Sequence, residues 1–178
     1  MNTRNNNVYL PRVTPFTVEG VELFSRNFAG VARPPYTPAG VRNFCMTLPG
    51  ELAAQLAEDG WNIFYLKPRE EGDEPQPAIR VAVAFDYYNP PAIYKIIGNR
   101  NNKMVQLTPD NVSTLDSAEI VRDDDGKPRV DVVIRGRRWG DDGKKIKAYL
   151  EKMYITVYED ELDLKYAAFR DEELPFNT

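Results

Sequence analysis

Apolar residues in this chain recur mostly at every second position, in runs too short to be long helices. Over residues 41–48 (VRNFCMTL), Arg42, Phe44, Met46 and Leu48 fall on one side and Val41, Asn43, Cys45 and Thr47 on the other. That alternation predicts a strand. Pro49-Gly50-Glu51 then opens a short helix with Leu52, Ala53, Leu56 and Ala57 on one face and Gly60 as its stop. Residues 61–66 predict a second strand, and 67–77 (KPREEGDEPQP) a polar loop. A strand over 79–85 keeps Ile79, Val81, Val83 and Phe85 in phase, and the corner Asp86-Tyr87-Tyr88-Asn89-Pro90-Pro91 follows it. Further strands are expected over 93–97, 118–122, 130–139, 145–150 and 153–158. Asp123-Asp124-Asp125-Gly126 forms a hairpin tip between the second and third of these. Residues 1–40, punctuated by Pro11, Pro15, Pro34, Pro35 and Pro38, read as an extended arm lying over the domain. Many short strands with one early helix predict an all-β barrel or sandwich, in a single domain without internal repeats.

The richest pattern is residues 130–150, VDVVIRGRRWGDDGKKIKAYL. Alternate strand residues share a face, so Arg135, Arg137 and Trp139 are neighbours, opposite Val132, Ile134 and Gly136. After the turn at 140–143, Lys145, Lys147 and Tyr149 share a face opposite Ile146, Ala148 and Leu150. Paired as a hairpin, the two arms present four cations and two rings on one surface. A binder of single-stranded nucleic acid needs that combination, because cations track phosphates and rings stack on bases. An amphipathic hairpin with solvated cations is the plainer alternative. Tyr88 lies out of phase with the apolar residues of 79–85 and extends the stacking surface, whereas Tyr87 and Tyr94 fit a core role equally well.

Charge sharpens this picture. The 178 residues sum to a formal −4, but 127–147 alone is +5, and 159–173 is −5. A basic block suits phosphates, and an acidic end repels them or engages a partner. There is no histidine and a single cysteine, Cys45. The commonest general base, the commonest metal ligand and any internal disulfide are therefore missing, which lowers the case for an enzyme. No cofactor and no metal site are expected. GDDGKK at 140–145 has two residues between its glycines where a phosphate loop has four. Asp123 to Asp125 read as a solvated turn before a Mg²⁺ site, and Cys45 as a packed thiol. No run is long and apolar enough for a membrane span, and residues 1–7 lack the core of a signal peptide. The end of the chain, Asp171, Glu172, Glu173, Leu174, Pro175 and Phe176, is acidic with an apolar, proline-stiffened tip suited to a partner's basic-rimmed pocket.

That tail resembles the acidic, Ile/Leu-Pro-Phe end of bacterial single-stranded DNA-binding proteins, although here Asn177 and Thr178 follow Phe176. The body resembles the tailed-phage single-stranded DNA-binding family. The matching pieces are Arg42-Asn43-Phe44, Glu58-Asp59-Gly60-Trp61-Asn62, Pro90-Pro91, Gly143-Lys144, Ile146 to Leu150, Glu159-Asp160-Glu161-Leu162 and Lys165-Tyr166. The resemblance implies a five-stranded OB-fold-like barrel with extensions, one face of which binds oligonucleotides. It divides the chain into an arm (1–40), an OB-fold domain (41–168) and a tail (169–178).

On this reading the chain is not an enzyme. It binds and protects single-stranded DNA in phage replication or recombination, in the cytoplasm of a bacterial host. Arg135, Arg137, Arg138, Lys144, Lys145 and Lys147 would hold the backbone, while Trp139, Tyr149 and Tyr88 stack on bases. The expected partners are single-stranded DNA and, through the tail, replication or recombination proteins, with homo-oligomerisation or cooperative assembly on DNA left open. The alternative is an adaptor that acts mainly through protein contacts and binds DNA weakly.

Overall fold

A computed structural model describes residues 10–98 and 101–158 of the chain. Among these residues, nine strands form one mixed sheet, curled over a single core, with one α-helix and a short 3-10 helix. The expectation of an OB-like, mostly β fold holds, although nine strands stand where a five-stranded barrel with extensions was expected.

The spine is the hairpin of β8 (Val130–Trp139) and β9 (Lys145–Val157), which pair antiparallel along the whole of β8. Val130, Val132 and Ile134 point inward, as do Ile146, Ala148 and Leu150, all at most 3% exposed. Pairing of Val133 with Lys152 and of Ile134 with Leu150 leaves Glu151 as an extra residue, a β-bulge. The bulge moves the inward positions from Ile146, Ala148 and Leu150 to Met153, Ile155 and Val157. One thirteen-residue strand therefore stands where two were expected, because the phase change imitates a break.

On its other side β9 meets Trp61 by a parallel bridge at Ile146, then β5 (Gln76–Ala82) at Tyr149, then β6 (Ala92–Ile97) in parallel from Lys152 to Val157. Antiparallel neighbours complete the sheet. β3 (Asn43–Thr47) and β4 (Ile63–Leu66) flank β5, and β7 (Lys103–Leu107) pairs with β6. β7 was not anticipated, its five residues carrying too little alternation to stand out.

Within the segment expected as an extended arm, β1 (Phe16–Glu19) pairs with β8 and β2 (Leu23–Asn27) with β3. Val18, Val21 and Phe28 are buried there, and Phe28 stacks on Phe44 at 5.3 Å. The strand expected over 118–122 reduces to bridges from Ile120 to Val157 and from Arg122 to Pro128. Ile120 is drawn to the free end of β9, and the Asp123 carboxylate closes the following turn by accepting the backbone N–H groups of Asp125 and Lys127.

α1 (Gly50–Asp59) buries Ala53 and Leu56 and packs against β4 and β5. It ends where expected, at Gly60 in a left-handed conformation, whose N–H reaches the carbonyls of Leu56 and Ala57. The 3-10 helix (Val112–Asp116) packs against β2, burying Val112 and Leu115. Its Asp116 carboxylate accepts the N–H groups of Phe28 and Ala29. Cys45 is buried, as expected of a packed thiol, and burial raises its pKa. Among the described residues, no helix is long and apolar enough to cross a membrane.

Candidate nucleic-acid interface

Two-residue periodicity on β8 and β9 carries through to the surface. Opposite residues in the register are Arg135 and Tyr149, Arg137 and Lys147, and Trp139 and Lys145. All six project to the outer face, since their neighbours Ile134, Ile146, Ala148 and Leu150 fill the core. At either end of this patch a ring faces a cation across the strands, with the two cations Arg137 and Lys147 opposite each other between them. The Lys145 ammonium sits 4.8 Å from the Trp139 ring centre, and that of Lys147 lies 5.3 Å from the centre of Tyr149. Such contacts hold long side chains over flat surfaces and leave the charge facing solvent.

The corner between β5 and β6 covers the middle of this face. Tyr87 meets Tyr149 edge-on, with centroids 5.3 Å apart and hydroxyls 3.4 Å apart, and the Arg137 guanidinium lies 6.0 Å from the Tyr87 ring. Arg135 donates to the Asn89 carbonyl and ties the corner to β8. Between corner and hairpin lies a cleft of about 190 Å³, lined by Tyr87, Tyr88, Asn89, Arg135, Arg137 and Tyr149, with the Gly136 backbone between the two arginines. Tyr88 is 98% exposed at its lip.

Gly136 is required from behind. A β-carbon there would lie within 2.7 Å of Ile146, Trp61 and Val13 side-chain atoms, so the sheet packs onto bare backbone at this point.

The face is not basic throughout. Beyond Lys152 it carries Tyr154, stacked on Tyr94 at 5.0 Å, and then Asp131 opposite Glu19 on β1. Positive charge is thereby concentrated on the hairpin half.

Not every basic residue of the 127–147 block belongs to the face. Arg138 pairs with Ile146 on the reverse side and donates to the carbonyls of Pro11 and Gly143, fastening the first described residues to the hairpin. Lys144 lies beside Arg138, Glu58 and Asp59 in a hollow on that same side. Of the rings, Trp139 is 53% exposed but Tyr149 only 8%, because Tyr87 covers it. Tyr149 thus serves as a wall of the cleft more than as an open platform. Tyr87, left between core and surface by its sequence position, is the ring that completes the cleft. Its contact with Tyr149 spans 62 residues, so no local signal marks it. The tail residues Asp171 to Phe176 lie outside the described residues.

The two phenols titrate apart. Burial raises the pKa of Tyr149, with the Tyr87 hydroxyl adding to the effect. The pKa of Tyr87 is lowered, first by its hydrogen bond from Tyr149 and then by Arg137 and Lys147. Raising the pH therefore ionises Tyr87 first, with Tyr149 donating to the phenolate. A negative oxygen then sits among the cations. DNA affinity is expected to fall as pH rises toward about 10, the ordinary tyrosine value, and Tyr87→Phe is expected to keep binding over that interval. Identical pH profiles for the two proteins, followed by anisotropy of a labelled oligonucleotide, would contradict this assignment.

A family model described as "Putative phage ssDNA-binding domain" matches residues 5–175. Among solved structures, the single-stranded DNA-binding protein from bacteriophage Enc34 in complex with ssDNA aligns at TM-score 0.47 and 11% identity, covering 82% of this chain and 88% of that one. Its C-terminally truncated form aligns at 0.45 and 12%, covering 82% and 87%. The gp2.5 single-stranded DNA-binding protein of bacteriophage T7 aligns at 0.29 and 15%, covering 88% and 94%. No curated protein sequence matches the chain.

Proposed function

This chain belongs to the phage ssDNA-binding domain family, and from that premise we propose that it coats and protects single-stranded DNA during phage replication or recombination in the host cytoplasm. The carrying observation is the β8–β9 register, which brings Arg135, Arg137, Lys145, Lys147 and Trp139 onto one face around Tyr149. Phosphates run along the cations, and bases lie on Trp139 and against the Tyr87–Tyr88 corner. Neither contact depends on base identity in the way a major-groove reading helix does, so binding tolerates sequence. Arg138 acts from behind, by holding the hairpin to Pro11, and Lys144 lies beside it in the hollow on that side. The protein acts by binding, without catalysis. The acidic tail, Asp171 to Phe176, contributes by recruiting replication or recombination proteins.

The test is a titration of labelled dT oligonucleotides against duplex of equal length at two salt concentrations, with tryptophan emission followed in parallel. Trp61 is 5% exposed and Trp139 is 53% exposed, so quenching reports Trp139. Tight, salt-sensitive binding of the single strand with quenching is expected, and Trp139→Ala should lose the quench and roughly tenfold in affinity, the worth of one stacked base. Removal of 171–178 should leave DNA affinity intact or raise it while abolishing partner capture. Equal affinity for duplex and single strand, or no quench on binding, would sink the assignment of this face.

A further inference from the structure

We infer that a bound strand leaves the hairpin across β9 and β5 onto a second basic patch, built by Arg80 and Arg33, with Tyr36 as the ring at its far end. The inference rests on the single-strand reading above. It adds the direction in which the strand runs, and residues outside the 127–147 block that hold it.

Register places Arg80. Ala82 on β5 pairs with Tyr149 on β9, and Tyr149 pairs with Arg135 on β8, so these three side chains share the outer face. Arg80 stands two residues along β5 from Ala82, about 7 Å away and on the same face. The two strands run parallel, so that step carries it toward the level of Lys147. Its neighbours Ile79 and Val81 are buried, and Arg80 is exposed.

Arg33 joins it from the loop between β2 and β3. Cys45 pairs with Arg80, which puts the thiol on the outer side of β3. Burial raises the pKa of that thiol, while Arg80 and then Arg33 act against the rise, so both guanidinium groups are near it. The loop is ordered by its own backbone. Arg33 and Thr37 exchange hydrogen bonds of 2.8 and 2.9 Å, and the Asn27 amide bonds both the N–H and the carbonyl of Val31. Thr37 is buried, but Tyr36 beside it is 87% exposed. A ring held out on a fixed loop loses little further freedom when a base covers it.

Charge decides the direction. Residues 23–50 hold Arg26, Arg33 and Arg42 and no acid at all, in a chain with 27 acids among 178 residues. Toward the other end, beyond Lys152, the face meets Asp131 and Glu19. Phosphates leaving the hairpin are therefore attracted toward β3 and repelled toward β1. Three cations spread over 28 residues make no block in the sequence, and only the sheet gathers them beside the hairpin.

The experiment measures labelled oligo(dT) of about 6 and about 16 nucleotides, near the ends of the ~4–16 range of OB-fold site sizes, by anisotropy at low salt. Arg33→Ala with Arg80→Ala is expected to weaken the longer oligonucleotide by roughly thirtyfold, the worth of two exposed cation–phosphate contacts. Its salt slope should become shallower by about 1.4, and the shorter one should lose less than about twofold. Arg80→Ala alone leaves the bond from Arg33 to the Arg26 carbonyl in place, and should cost roughly fivefold on the longer strand only. Tyr36→Ala should cost that strand roughly tenfold, one stacked base, and Tyr154→Ala, at the acidic end, should cost neither. Parent-like binding by the arginine variants, equal losses at both lengths, or a length-dependent loss in Tyr154→Ala would each overturn this path while leaving the hairpin face as a strand binder. Failure of the unsubstituted protein to bind either length would instead overturn the face itself, and the path with it.

Discussion

Replacing Arg137, Lys145 and Lys147 together with alanine is expected to weaken oligo(dT) binding by roughly a hundredfold at low salt, taking about 1 kcal/mol for each exposed cation–phosphate contact. All three lie against ring faces on the outer surface, those of Tyr87, Trp139 and Tyr149. Arg135 and Arg138 are spared, since each also holds backbone: Asn89 for the first, Pro11 and Gly143 for the second. Thermal stability should therefore change little, while the dependence of log affinity on log salt should become shallower by about 2, at ~0.7 per phosphate neutralised on a single strand. The salt slope separates two causes that affinity alone confuses. A variant that binds poorly but keeps the parent slope has lost shape or stacking, and the cations then belong to solvent. A shallower slope with retained tryptophan quenching places the phosphates on the hairpin.

What alternation can announce, it announced here. Arg135, Arg137 and Trp139 share a face because a strand has period two, and the four-residue turn at 140–143 then sets them against Lys145, Lys147 and Tyr149. A charge sum has no such geometry, which is why Arg138 and Lys144 entered the candidate set despite lying on the reverse side. The β9 bulge hid the strand's continuity for the same reason that alternation works elsewhere: one extra residue, Glu151, inverts the phase. The remaining differences are non-local. Phe16 finds its partner at Ile134, and Tyr87 covers Tyr149 from another strand junction. Short-range pattern holds no record of such pairings, so β1, β2 and the walls of the cleft became visible only in three dimensions. The helix end was the opposite case, legible from Gly60 alone, yet its more consequential contact lies 84 positions away at Lys144.

That contact makes Gly60→Ala the substitution with the largest expected effect on stability. Gly60 has φ 110°, where an L side chain is strained, and a β-carbon there would stand 2.0 Å from the Lys144 carbonyl oxygen. The obstacle is backbone, so no side-chain rotation relieves it. Separation of the two segments would break the bond from the Ile146 N–H to the Gly60 carbonyl, 2.9 Å long, and the parallel bridge between Trp61 and Ile146 beside it. Conformational strain of about 1–3 kcal/mol and the displaced contact together suggest a loss of about 3–5 kcal/mol. For a chain of this size that is a fall of roughly 10 °C in melting temperature. Gly126→Ala is the matched comparison: φ is 81°, but the added carbon meets open space, so only the backbone cost of about 1–2 kcal/mol applies. The consequence for binding follows from position. Lys145, opposite Trp139, begins β9 next to Lys144, so pushing that residue away from the helix end shifts one side of the Trp139–Lys145 pair. Gly60→Ala should accordingly bind oligo(dT) more weakly even below its lowered melting temperature, and Gly126→Ala should not. Equal losses of stability in the two variants would mean that the close approach of helix and strand contributes nothing beyond the glycine's own conformation, and the hairpin's anchoring would have to be sought in Arg138 and residues 10–13.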